Sequence, residues 1–278
     1  MRRNFLGRRG ITLAFSAALL GGAANSQALI IIRNFLGGTP SPNQFGGGNF
    51  NAIVNAAADC WQFHIHDTHV VTLNFSWGAL GSGVLGQHGL VTQGGAPNRE
   101  TAGNIQITND ATISWFMDPT PMDAFEYSTY TEVSQNLGGG VMNTGRSFTG
   151  ASGAANGNFD FFSVAVHEIG HSLGLSSANT SFQAENGDLD IDVQAPRPFA
   201  GASIPTISGA HLNLTNALMF PSVGTSIRHI PSHADIVANA EISEFNDLNL
   251  APCMVPEPAT IAAIGFGIAA LAMRRRKK

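Results

Sequence analysis

Apolar and polar positions along the chain follow two different periods, and the first of them opens the body. LIIIRNF (29–35) is an apolar, β-branched run that predicts a strand, with the Gly/Pro-rich loop GGTPSPNQFGGGN (37–49) behind it. Phe50, Ile53, Val54, Ala57 and Trp61 then recur at helical spacing, so a first amphipathic helix is predicted over 50–62. In VVTLNFSW (70–77), Val71, Leu73 and Phe75 alternate with Val70, Thr72 and Asn74, the two-residue period of a strand. NIQITND and ATISWF (104–116) give one or two more strands. The stretch 137–158 is low in bulk and rich in glycine, and it reads as a loop. Helical spacing returns in FFSVAVHEIGHSLG, with Asp160 as N-cap and Phe162, Val166, Ile169 and Leu173 as one apolar stripe. Beyond Ser176 the chain is irregular and polar to about Asn216, and order returns in short elements around NALMFPS and HADIVANAEI. There is no internal repeat. The pattern is one α+β domain, a sheet with two main helices and an irregular C-terminal part.

The two ends add a destination. Arg2, Arg3, Arg8 and Arg9 precede an apolar run from Ile11 to Leu20, and small residues lead to a cleavage site after Ala28, so residues 1–28 read as a signal peptide. RRNFL is also similar to the core of a twin-arginine export signal. At the other end Pro256-Glu257-Pro258 precedes an apolar stretch from Ile261 to Met273 and the basic cluster Arg274–Lys278. That stretch is short for a stable span and reads as a temporary membrane anchor or sorting tail. Its three-part order resembles the PEP-CTERM sorting signal of Gram-negative bacteria, which implies export, transient membrane anchoring and processing by an exosortase. The divisions are 1–28, 29–253 and 254–278. Between the ends, eighteen acidic residues face five arginines, a net of -13 with histidine neutral. Nucleic acid and anionic membrane are poor partners for such a body. Cys60 and Cys253 permit one disulfide in an exported protein, or stand as separate thiols.

The chemistry is concentrated in HEIGHSLGLSS (167–177). On a helix His167 and His171 lie one turn apart on one face and can present two imidazoles to one metal ion. Glu168 lies about 100 degrees round the helix, placed to take a proton from a zinc-bound water without being a ligand. Catalytic zinc usually has three protein ligands. In the longer motif H-E-x-x-H-x-x-G-x-x-H the third is a histidine, and Ser177 stands at that position here. Downstream candidates are His211, His229, His233 and the acidic run Asp188, Asp190 and Asp192, with Gly174 as the residue that lets the chain leave the helix.

HEIGHSLGL with a later ALMFPS resembles the metzincin metalloproteases. The helix motif and GNIQITND are similar to the matrixin branch, and the long gap before a histidine that precedes Leu218-Met219 is similar to the leishmanolysin-like enzymes. The resemblance implies a zincin domain with a twisted mixed sheet, His167 and His171 as zinc ligands, Glu168 as base, Met219 as the residue of the Met turn and His211 as third ligand. It also implies that an extended peptide adds along a sheet edge, for which ATISWF is the candidate strand. The chain departs from the pattern at Ser177, in a short His211-to-Met219 spacing, and in having no tyrosine after Tyr130. His229 or His233 is the candidate for a second electrophile.

Other features carry less. HIHDTH (64–69) reads as a polar loop or strand start rather than a metal site. NGDLDID (186–192) offers Ca²⁺ alternating carboxylates but lacks the glycine and closing glutamate of an EF-hand loop. Ser163, Ser172 and Ser176 lack a G-x-S-x-G elbow. The expected function is an exported zinc endopeptidase acting on a protein or peptide substrate in the periplasm, at the outer surface or in the extracellular matrix. The alternative is a non-enzymatic matrix or adhesion protein on the same scaffold with an incomplete site.

Overall fold

The computed structural model describes residues 28–254, and the signal peptide and sorting tail expected at the two ends lie outside them. The chain enters through β1 (Ile30–Gly37), passes a two-residue strand β2 (Gln44–Phe45) and forms α1 (Phe50–His64) before returning as β3 (Val70–Gly78). β4 (Gly86–Gly94) and β5 (Arg99–Thr108) complete a mixed sheet of order β1-β3-β5-β4. β1, β3 and β5 run parallel and β4 is antiparallel at the edge. A parallel neighbour requires a crossover, and α1 supplies the one between β1 and β3. The alternation in β3 is realised: Val71, Leu73, Phe75 and Trp77 are buried under the sheet while Val70, Thr72, Asn74 and Ser76 face outward. Asn49 caps α1 by accepting from the backbone of Asn51 and Ala52.

β6 (Trp115–Phe116) pairs on one side with β2 and on the other with β9 (Phe159–Asp160). Trp115 and Phe116 are 0% and 1% exposed, so ATISWF is an interior strand and cannot take an added peptide. The open edge of the main sheet is β4 instead. A second correction concerns the glycine-rich stretch 137–158. Most of it is β8 (Val141–Ala151), paired with β7 (Tyr127–Asn136) and β13 (Arg228–Ile230). Its own hydrophobic pattern is weak, and the ladder bonds from both neighbours supply the order that side-chain periodicity did not signal.

The helix that carries HEIGHS is α2 (Phe161–Ser172), followed by the short α3 (Thr180–Glu185). The polar region after it holds a small sheet of β10 (Asp190–Asp192), β11 (Ser203–Ile207) and β12 (His211–Leu212). α4 (His233–Ser243) closes the domain from below, a third full-length helix where only a short element was expected. Ser232 and Asp235 form a reciprocal capping box at its start. The result is an α+β fold of the metzincin-like kind. Among the described residues no helix is long and apolar enough to cross a membrane.

Cys60 and Cys253 are joined in a disulfide that ties α1 to the end of the described chain. His64 is fully buried beside it, and its Nδ1–H donates to the carbonyl of Asn249 at 2.8 Å. Burial lowers its pKa to about 4, more than the carbonyl bond raises it. The unfolded chain therefore takes up a proton near pH 6.5 that the folded chain refuses until about pH 4. The stability that neutral His64 retains above pH 6.5 is lost as pH falls through this window. The expected loss from this residue is about 2 kcal/mol between pH 7 and pH 5. Urea unfolding of His64→Gln at both pH values checks it: the variant should be less acid-sensitive by that amount, and an unchanged difference would refute the assignment.

Candidate metal centre

The site begins with the N-terminus of α2. Asp160 accepts from the backbone N–H of Ser163 at 3.0 Å and from its hydroxyl at 2.6 Å, satisfying an otherwise orphan donor of the first turn. The predicted stripe of Phe162, Val166, Ile169 and Leu173 is buried. Trp61 of α1 fixes the helix from behind, its indole N–H donating to the carbonyl of Val166 at 2.8 Å. His167 and His171 emerge on another face with ring centroids 4.8 Å apart. The helix ends at Ser172, and the turn at Gly174 brings the carbonyl of Leu175 back against His171 Nδ1.

β12 brings His211 to the same place, its ring 5.2 Å from His167 and 4.8 Å from His171 between centroids. One ligand atom from each of the three histidines lies within 4.8 Å of the others. Their tautomers follow from the partners: Nδ1 of His167 faces the carbonyl of Leu218 at 2.7 Å, that of His171 faces Leu175, and that of His211 faces Ser208 at 3.2 Å. A carbonyl only accepts, so each Nδ1 carries the proton and each Nε2 is left with a lone pair. The Nε2 atoms of His167 and His171 then meet lone pair to lone pair at 3.1 Å. That juxtaposition is unfavourable unless a cation lies between. Two nitrogen ligands in a zinc tetrahedron at about 2.0–2.1 Å each sit about 3.3 Å apart, so the donor set fits the ion. Burial lowers His167 to about 4 and His171 and His211 below the usual range, with the neighbouring imidazoles adding to the effect at His167 and His171. All three rings are neutral, the form a metal needs.

Glu168 is 5% exposed beside this cluster. Burial pushes its carboxyl up to about 8, opposed by the backbone N–H of His88, which donates to it. Gly86 makes room for it: a Cβ there would lie 2.6 Å from Oε1 and 2.9 Å from Cδ of Glu168. Both His88 and Gly86 belong to the edge strand β4. A cavity of about 390 Å³ opens next to His167, Glu168 and His211, walled by apolar residues such as Leu85, Ile113, Val164 and Leu218.

Met219 is fully buried under the helix. Its sulfur would be 2.5 Å from a Cβ on Gly170, so the glycine between the two histidines is the contact point of the Met turn with α2. Asp235 holds the turn, accepting from the backbone of Leu218 at 3.2 Å and Met219 at 2.8 Å. Asp235, Gly86 and Gly170 escape the sequence reading. The capping box S-x-x-D marks a helix start at Ser232, but nothing local shows that its aspartate also reaches the Met turn.

The other candidates fall elsewhere. His229 lines the cavity wall, with a buried Nδ1 that lacks a hydrogen-bond partner. His233 stacks on Phe199 at 5.5 Å and accepts from the backbone of Asn143, away from the cluster. Asp188, Asp190 and Asp192 form a separate exposed to half-buried group. Ser177 lines a smaller hollow on the other side of Glu168, and its carbonyl accepts from Gln183. In HIHDTH, His69 turns to the carbonyl of Glu100 and Asp67 accepts from Asn246 and Asp247, so the stretch is local framework. Ser163 and Ser172 bond to their own helix and its cap.

A mixed sheet over two helices, with H-E-x-x-H on the second and a methionine turn beneath it, defines the metzincin-like class of metalloprotease folds. The family model for matrixin matches residues 62–183. A model of the PEP-CTERM protein-sorting motif matches residues 255–277, which marks export and sorting to the surface of a Gram-negative cell. The matrixin match contains His167, Glu168 and His171 and ends before His211 and Met219. No curated protein and no solved structure matches the chain.

Proposed function

We propose that the chain is an exported zinc-dependent endopeptidase, with His167, His171 and His211 holding the ion and Glu168 acting as general base. The observation that carries the reading is the meeting of three imidazole nitrogens, each freed for a cation because its Nδ1 is committed to a backbone carbonyl. A zinc ion, when bound, supplies Lewis acidity that activates water near neutral pH and polarises the scissile carbonyl. Glu168 takes the proton of the attacking water and returns it to the leaving amine. β4 is the edge strand of the main sheet, so an extended peptide can add along it beside Glu168. The apolar cavity takes one side chain of that peptide.

The PEP-CTERM motif supports an exosortase as partner and transient anchoring through the apolar tail, with release to the periplasm, outer surface or extracellular matrix. A general casein-type cleavage assay on the full chain tests the reading. Cleavage should vanish with a strong zinc chelator and return with one equivalent of zinc. Cleavage that survives chelation would exclude the mechanism, and a zinc-loaded chain that never cleaves would leave the non-enzymatic alternative.

A further inference from the structure

A buried carboxylate lies under the metal centre that the proposed reaction does not use. Glu100 of β5 is 2% exposed, and its Oε1 accepts from Nε2 of His88 at 2.8 Å, with both side chains almost wholly enclosed. The other oxygen, Oε2, has no partner. Space for the pair comes from Gly103, where a Cβ would lie 2.0 Å from Glu100 Oε1 and 3.0 Å from His88 Nε2. Desolvating such a group costs several kcal/mol, and an apolar pair of the same volume would hold the sheet as well or better. A purely structural account therefore leaves it unexplained.

His88 connects the pair to the site in two ways. Its ring stacks on that of His171, with centroids 6.2 Å apart and planes inclined by 23°. Its backbone N–H donates to the carboxylate of Glu168. The bond from His171 to the Leu175 carbonyl fixes the tautomer of His171 and restrains the Nδ1 edge of its ring. The His88 ring covers one face of it, and Glu100 fixes the His88 ring in turn. We infer that the His88–Glu100 pair is a positioning device that sets the plane of His171 toward the metal and holds β4 in register with Glu168. The inference rests on the proposed metal reading. It assigns a role to two side chains outside the ligand set.

The test uses the full chain loaded with Co²⁺, whose visible absorption reports the ligand field, together with metal affinity by chelator competition. Glu100→Leu should lower the affinity about 10–100-fold and shift the cobalt spectrum. Glu100→Gln keeps an acceptor for His88 and should recover most of both. His88→Phe keeps a ring against His171 without the Glu100 bond, so it should fold and still shift the spectrum. Affinity and spectrum unchanged in Glu100→Leu and His88→Phe, with a normal wild-type spectrum, would overturn the positioning role alone. A wild-type chain that takes up no cobalt would overturn the metal reading itself, and this inference with it.

Discussion

Replacing Glu168 by glutamine is expected to leave zinc in place and to lower kcat/KM for peptide cleavage by about 10²–10⁴-fold. The substitution is nearly isosteric, so the close approach of Gly86 and the donation from the His88 N–H are both kept. What is lost is the ability to carry a proton between water and the leaving amine. The three histidines are untouched, because Glu168 projects from a different face of α2. Zinc content measured alongside kinetics separates the two effects. Undiminished cleavage in a variant that still holds zinc would eliminate Glu168 as the base, and loss of zinc would mean that the carboxylate belongs to the ligand set.

Arg228→Leu is expected to be the most damaging single change to the fold away from the site, at about 3–5 kcal/mol. Arg228 is 0% exposed and donates to Asp160 through Nε at 3.0 Å and Nη2 at 2.8 Å. Nη2 also reaches Asp118 at 2.6 Å and Nη1 the carbonyl of Asp123 at 2.6 Å. Its guanidinium lies over the rings of Tyr127 and Phe162, at 5.2 Å from each centroid. Leucine would fill part of the space but leave two buried carboxylates without a counter-charge. Losing an N-cap alone costs about 1 kcal/mol, so the uncompensated charge decides the size of the effect. The damage is also local to function, since Asp160 starts the helix that carries His167 and Glu168, and Arg228 is followed by His229 in the cavity wall. Urea unfolding at neutral pH checks the value, and a loss under about 1 kcal/mol would show that the aspartates find other partners.

The features legible in the sequence are those fixed within a few residues. The alternation of β3, the cap at Asp160 and the placing of two histidines and a glutamate on one helix all depend on periods of two or 3.6. β8 was illegible because its order comes from pairing with β7 and β13, while its own composition is that of a loop. α4 was underestimated for a related reason: it is buried nearly all round, so its sequence shows no clear polar face. The third histidine was legible only through the resemblance, which favours His211 for the Met turn behind it, since a small sheet distant in sequence from α2 decides which candidate reaches the helix. ATISWF was misjudged as an edge because a strand's neighbours cannot be read from its own alternation. Glu100 and His88 lie on adjacent strands, and their pairing across Gly103 exists only in three dimensions.

The most direct test of the account is zinc stoichiometry by mass spectrometry, measured on the purified full chain and on His211→Ala after the same dialysis. The account predicts one zinc per chain in the wild type and loss of most of it in the variant, because two imidazoles alone hold the ion weakly. A wild type without zinc, or a His211→Ala variant that retains it in full, would contradict the three-histidine centre.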